Sequence, residues 1–332
     1  MLTFFYNGYE RRLRAFWRLL FQFVLYMLGE VVLGGLVLLG FILAGGMEFG
    51  EETISRVVSS PAFLATGGVA SLVAVLVSVW ITGRFFDRRP FSGFGLRLDR
   101  EWWLDLGFGL CLGALLMTAI FLIELTAGWI EVTGTFKSPV GMSFFPTILA
   151  PMVLFLCVGV YEELLSRGYQ LTNMAEGLNY SGLGPRGAVV LAWVLSSSLF
   201  GLLHLANPNA TLVSTINIAF AGLLLGTGYV LTGRLGISIG LHITWNFFQG
   251  NVFGFPVSGT DDLGAKFISI EQGGPTLFTG GVFGPEAGLL DLAATIVGSL
   301  LIWLWVRARS GKATLQTSIA EPPEGTRPAS EV

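Results

Sequence analysis

Three short stretches of this 332-residue chain place polar side chains among apolar neighbours. The first is Tyr161-Glu162-Glu163-Leu164-Leu165-Ser166-Arg167, directly after the apolar run 152–160. The second is Phe200-Gly201-Leu202-Leu203-His204, and the third is His242-Ile243-Thr244-Trp245-Asn246. His204 and His242 are the only 2 histidines in the chain. On a helix, Glu163 and Arg167 are four apart and share a face, so the guanidinium can neutralise one carboxylate. Glu162 lies about 100° further round and can point elsewhere. A carboxylate withdrawn from water is a stronger base, suited to taking a proton from a water molecule. Phe200 and His204 repeat the four-residue spacing, so the ring can fix the imidazole. His242 and Asn246 repeat it again and can donate hydrogen bonds to a developing oxyanion. Taken singly, each group has a plain alternative: Glu162, Glu163 and Arg167 as a packing network, either histidine as a satisfied core residue. Together they spell general-base hydrolysis.

The elements that must position these groups are membrane helices. The composition is 53% hydrophobic and only 12% charged, with a mean hydropathy of +0.70. A soluble domain carries about 25% charged residues. A charge near a bilayer centre costs about 2.5–3.5 kcal/mol on insertion scales, so Glu162, Glu163 and Arg167 need partners or a task. The fold class is all-α: a polytopic bundle of about eight transmembrane helices, each needing about 20 apolar residues. The expected segments are 17–45, 61–82, 104–130, 145 to at least 168, 188–206, 211–231, 236–253 and 287–306. Residues 1–309 form the membrane domain, with the motif core at 145–255. Residues 310–332 are polar and Pro-containing and are expected to be a disordered tail. The Gly/Pro-rich stretch 254–286 reads as a long loop, capping one face or mobile.

Eight spans put both termini on one side. With the N-terminus inside, 15 of the arginines and lysines fall in the cytoplasm, among them Arg11, Arg12, Arg14, Arg18, Arg234 and Arg327. Only 3, Arg56, Lys137 and Lys266, fall outside. That bias sets orientation, with both termini of the membrane protein in the cytoplasm. A net charge of -3 without a basic patch excludes a nucleic-acid partner. Cys111 and Cys157 lie in apolar runs, which argues against a disulfide or a cysteine metal site. Glu30, within the first apolar segment, reads as a hydrogen-bonded packing residue. Asp105 and Asp291, near helix ends, read as interfacial, as do Trp102, Trp103, Trp303 and Trp305.

The order Glu-Glu-x-x-x-Arg at 162–167, Phe-x-x-x-His at 200–204 and His-x-x-x-Asn at 242–246 resembles the CPBP (CAAX protease and bacteriocin-processing, or ABI) family of intramembrane proteases. It is similar to the type II CAAX prenyl endopeptidase over about 145–255. The resemblance implies a peptide hydrolase acting on a membrane-associated, possibly lipidated, protein or peptide substrate. Glu162 would activate water with His204 assisting, His242 and Asn246 would stabilise the oxyanion, and Glu163, Arg167 and Phe200 would support them. One carboxylate and two histidines are also a three-ligand zinc set. The glutamates lack the His-Glu-x-x-His spacing, so no metal cofactor is the preferred reading, with zinc the alternative.

Strict alternation of spans leaves a geometric problem. His204, about 16 residues into its helix, would lie at least about 20 Å deep, whereas Glu162 would be shallower if its helix stopped at Arg167. The two meet if that helix continues past Arg167, which is therefore expected. The competing functions are a non-enzymatic bacteriocin-immunity or scaffold protein, and a transporter using Glu30, Glu162 and Glu163 as proton carriers. No internal symmetry supports the transporter.

Overall fold

The computed structural model describes residues 2–261, 263–323 and 326. All eight expected apolar segments are helical, and the fold is an all-α polytopic membrane protein. Seven helices are long and apolar enough to cross a membrane: Ala15–Ala44 (α1), Pro61–Asp87 (α2), Arg100–Thr126 (α3), Phe144–Leu178 (α4), Gly184–Ala206 (α5), Leu212–Thr232 (α6) and Leu289–Ser310 (α8). Between α6 and α8 lies α7, Gly236–Phe247 extended by a π turn over Phe248–Val252. Being shorter, α7 falls outside that group, and it is the most enclosed element, packed on α3, α4 and α6.

Helix starts follow capping chemistry. Ser60 accepts from the Phe63 N–H ahead of Pro61, Asp99 accepts from the Trp102 N–H, and Thr211 with Ser214 forms a reciprocal box. The close seating of α7 rests on small residues, as is usual between helices in lipid. A Cβ on Gly113 of α3 would lie 2.4 Å from the Leu241 carbonyl, and one on Gly240 of α7 would lie 2.3 Å from the Leu106 carbonyl. The Thr244 hydroxyl donates to the Leu110 carbonyl across the same contact, at 2.8 Å.

α4 does run past Arg167. After Glu163 it loosens into a π stretch, Leu164–Leu171, and then resumes as Thr172–Leu178. The extension is anchored by buried charge. Glu176 pairs with Arg12 at 2.7 Å, accepts from Arg18 at 2.9 Å, and also pairs with Arg89. Arg18 also meets Asp87 at 2.8 Å, and the Tyr169 hydroxyl donates to the same carboxylate at 2.8 Å. The N-terminal arginines thus tie α1, the end of α2 and the end of α4 together.

Several expectations are corrected. Residues 311–323 do not trail away. Gln316 donates its backbone N–H to the Val230 carbonyl at 2.8 Å, the Asn179 amide donates to the Ala320 carbonyl at 2.9 Å, and Ile319 and Ala320 are buried. The remainder of the expected tail, 324, 325 and 327–332, lies outside the described residues. The 254–286 stretch is built rather than loose. Lys266–Gln272 (β2) pairs antiparallel with Ile130–Lys137 (β1), with Ile130 opposite Gln272 and a bulge between Val132 and Gly134. Phe255, Ala265 and Phe283 from this stretch are buried in the interior. Asp105 and Asp291 are not interfacial: both are buried, and Asp105 pairs with Arg234 at 2.7 Å. Trp102 is likewise inside, its indole N–H donating to the Gly95 carbonyl at 3.0 Å. Glu30 accepts from the Ser71 hydroxyl at 3.1 Å, in keeping with a packing role.

Candidate active site

The three motifs, on α4, α5 and α7, converge. Glu163 and Arg167 are both fully buried, and Arg167 Nη1 donates to Glu163 Oε1 at 2.8 Å. A second guanidinium N–H donates to the Gly222 carbonyl at 2.9 Å, and the guanidinium carbon stands 4.4 Å from the Phe200 ring centroid. Arg167 thus spends both terminal nitrogens on Glu163 and the Gly222 carbonyl, while its buried Nε has no partner among the described residues, and its charge serves Glu163 and Phe200. Glu163 Oε1 also accepts from His242 Nδ1 at 2.8 Å.

That bond fixes His242. With Nδ1 donating to a carboxylate, Nε2 is the ring atom left for other work, and it lies 3.8 Å from Glu162 Oε2. Glu162 itself is only partly buried, and its Oε2 has no hydrogen-bond partner among the described residues. The 100° step between the adjacent glutamates thus sends one into the ion pair and the other into a cavity.

His204 sits where α5 tightens into its last, 3-10 turn. Its Nδ1 is 2.8 Å from the Phe200 carbonyl. A carbonyl only accepts, so Nδ1 carries the hydrogen and the neutral ring keeps Nε2 as an acceptor. The Phe200 ring packs 4.7 Å from the His204 ring centroid and 6.2 Å from that of His242, a wedge between the two imidazoles. Asn246, one turn beyond His242, makes no hydrogen bond among the described residues.

Glu162, His204, His242 and Asn246 all line one cavity of about 300 Å³. A second cavity, of about 830 Å³, shares Tyr161, Glu162, Phe200, His204 and Asn207 with it. The larger chamber is walled by apolar residues of α1, including Phe16, Leu20 and Phe23. Glu162 and His204 therefore stand where the smaller cavity, which His242 and Asn246 also line, meets the larger apolar one.

Among the described residues, no three His, Cys, Asp or Glu side chains converge closely enough to hold a metal ion. Each imidazole already has one nitrogen committed, to the Phe200 carbonyl or to Glu163.

The sequence missed Ser258, Thr260 and Glu286, which line the smaller cavity from the 254–286 stretch. No periodicity marks them, and the only signal was one carboxylate at the end of a glycine-rich segment. Burial pushes the Glu286 carboxyl above its usual value, while hydrogen bonds from Ser258 and the field of His204 act in the opposite sense.

Comparison with known proteins places the three motifs in one matched segment. Residues 144–248 match the Type II CAAX prenyl endopeptidase Rce1-like family, a segment that contains all three motifs. The chain is also similar to Uncharacterized protein YyaK of Bacillus subtilis (strain 168). The two are 28% identical over 240 residues, covering 70% of this chain and 76% of that one. No solved structure matches the chain. The resemblance drawn from the three motifs holds over residues 144–248.

Proposed function

Taking the Rce1-like character of residues 144–248 as premise, we propose that this protein is an intramembrane endopeptidase of the glutamate type. The observation that carries the reading is the convergence of Glu162, His204, His242 and Asn246 on one cavity, beside an apolar chamber suited to a membrane-borne substrate. Glu162 takes a proton from a water held between it and His204, and the water oxygen bonds to the scissile carbonyl carbon. Asn246 and His242 Nε2 donate to the oxyanion that forms. For Nε2 to donate while Nδ1 donates to Glu163, the ring must carry both hydrogens, and Glu163 supplies the counter-charge. The C–N bond then breaks as the proton passes to the leaving amine. Glu163, Arg167 and Phe200 position these groups. No step uses a metal ion. The arginine and lysine bias supports insertion in a prokaryotic plasma membrane with both termini cytoplasmic.

The test is cleavage of a membrane-tethered peptide by the purified chain in detergent. Glu162→Gln and His204→Ala are expected to reduce kcat/KM by at least about 10²-fold, the low end for a general base, and a chelator is expected to leave the parent rate unchanged. Undiminished cleavage by Glu162→Gln would remove the mechanism, and loss to chelator restored by zinc would replace it with a metal-dependent one. A cellular phenotype that survives Glu162→Gln would favour the immunity or scaffold reading.

A further inference from the structure

The small cavity contains a second carboxylate from outside the family-matched segment. Glu286 is only 7% exposed, yet it lines the same cavity as Glu162 and both histidines. Its position is built. The Ser258 backbone N–H donates to Glu286 Oε2 at 2.5 Å, and the Ser258 hydroxyl reaches Oε1 and Oε2 at 3.1 and 3.2 Å. The turn carrying Ser258 is fastened to the turn after His204: the Asn207 amide donates to the Ser258 carbonyl at 3.1 Å, and the Asn209 amide to the Gly259 carbonyl at 3.3 Å. Gly259, at φ +84°, lies so close to that turn that a Cβ would come within 1.8 Å of the Pro208 carbonyl oxygen. Its N–H donates to the Phe283 carbonyl at 2.8 Å, fixing the strand of chain that leads to Glu286.

The charges around the cavity are one-sided. Its wall carries two carboxylates, Glu162 and Glu286, and two imidazoles, with no lysine or arginine among the described residues lining it. Arg167, close behind, is spent on Glu163, the Gly222 carbonyl and the Phe200 ring. A peptide carrying a carboxylate into this space would meet two carboxylates against the single imidazolium of His242, whose charge Glu163 already faces, and a like charge placed there opposes binding. A cationic side chain would meet the fixed Glu286 carboxylate, and its arrival favours the ionised form of that acid.

We propose that Glu286 is a specificity-determining residue that makes the small chamber accept a substrate segment bearing lysine or arginine close to the scissile bond. The inference rests on the endopeptidase reading and names the substrate class for that site: a peptide apolar on one side of the cut and basic on the other.

The experiment uses the full chain in detergent and a set of lipid-anchored peptides that differ only by Lys, Gln or Glu at each of the positions flanking the cut. Two quantities are read: kcat/KM of the parent, Glu286→Gln and Glu286→Asp chains, and binding of the same peptides to the uncleaving Glu162→Gln chain with and without Glu286→Gln. The parent is expected to favour Lys over Glu at one flanking position by at least tenfold. Glu286→Gln is expected to bring that ratio towards one, and Glu286→Asp, which keeps the charge, to retain a preference. An unchanged ratio in Glu286→Gln, or a parent indifferent to charge, overturns the inference and leaves the endopeptidase reading standing. Binding of the Lys peptide that depends on Glu286, with no peptide cut by the parent, upholds the inference and removes that reading.

Discussion

Adjacent glutamates in this site have opposite fates, and substitution should separate them. Glu162 has a buried oxygen with no partner, so the neutral Gln costs little fold stability even where cleavage is lost. Arg167 is different. It is fully buried against Glu163, and removing one member of a buried pair strands the other at a cost of about 3–5 kcal/mol. Arg167→Ala should lower the thermal midpoint in detergent sharply, and Arg167→Met combined with Glu163→Gln should recover much of the loss. A double variant no more stable than Arg167→Ala would show that the pair is not the source of the effect. Glu286 gives the pH dependence. Its carboxyl is raised above the ordinary 4.5, first by burial, so the folded state favours the protonated acid. That contribution is complete below about 4.5 and is lost as pH rises through the folded value. Midpoints measured against pH should fall through that window in the parent and fall less steeply in Glu286→Gln. The residue types and spacings of Glu162, Glu163, Arg167, His204, His242 and Asn246 were legible because charge and imidazole stand out in apolar helices. Glu286 was not, because its place depends on a turn closed by Asn207 and Gly259 far from it in sequence.

The helices were legible because each span must be long and apolar. Gly184–Ala206 and Leu212–Thr232 lie within a few residues of the segments read from hydropathy. The β1–β2 ribbon was not legible: hydropathy carries the third segment to 130, whereas α3 ends at Thr126 and Ile130 opens β1, and its partner Gln272 is remote in the chain. The π stretch Leu164–Leu171 has no sequence signal, although such bulges recur at functional sites. What sets the spacing of the helices that carry the candidate site is glycine. At Gly113, alanine would drive a Cβ into the Leu241 carbonyl and the Thr244 hydroxyl, each 2.4 Å away. Gly113→Ala should therefore push α7 off α3, displace His242 and Asn246, and lower both the thermal midpoint and the cleavage rate. Gly107, on the same helix with nothing within 4 Å, is the control. There alanine is the better helix former by about 0.8–1.0 kcal/mol, and neither quantity should fall. Equal losses at both positions would sink the close-packing argument.

At the scale of the molecule, the two chain ends act as fasteners. Arg12 and Arg18 are bound into the Asp87 and Glu176 carboxylates, and Arg89, which pairs with Glu176, also donates to the Glu321 carbonyl at 3.0 Å. The terminal segment was misread because it is polar and short of hydrophobic residues. Its order comes from hydrogen bonds to the Val230 and Leu231 carbonyls and from burial of Ile319, Ala320 and Pro323. Truncation after Ser310 should lower the thermal midpoint of the whole chain, whereas a free tail could be removed with no change. The placement of both imidazoles on the walls of one cavity has a practical corollary. With 2 histidines in the entire chain, a histidine-selective isotope label gives a magnetic-resonance spectrum with no background, in which every signal comes from the walls of that cavity. Substrate arrival can then be watched in the unmutated protein.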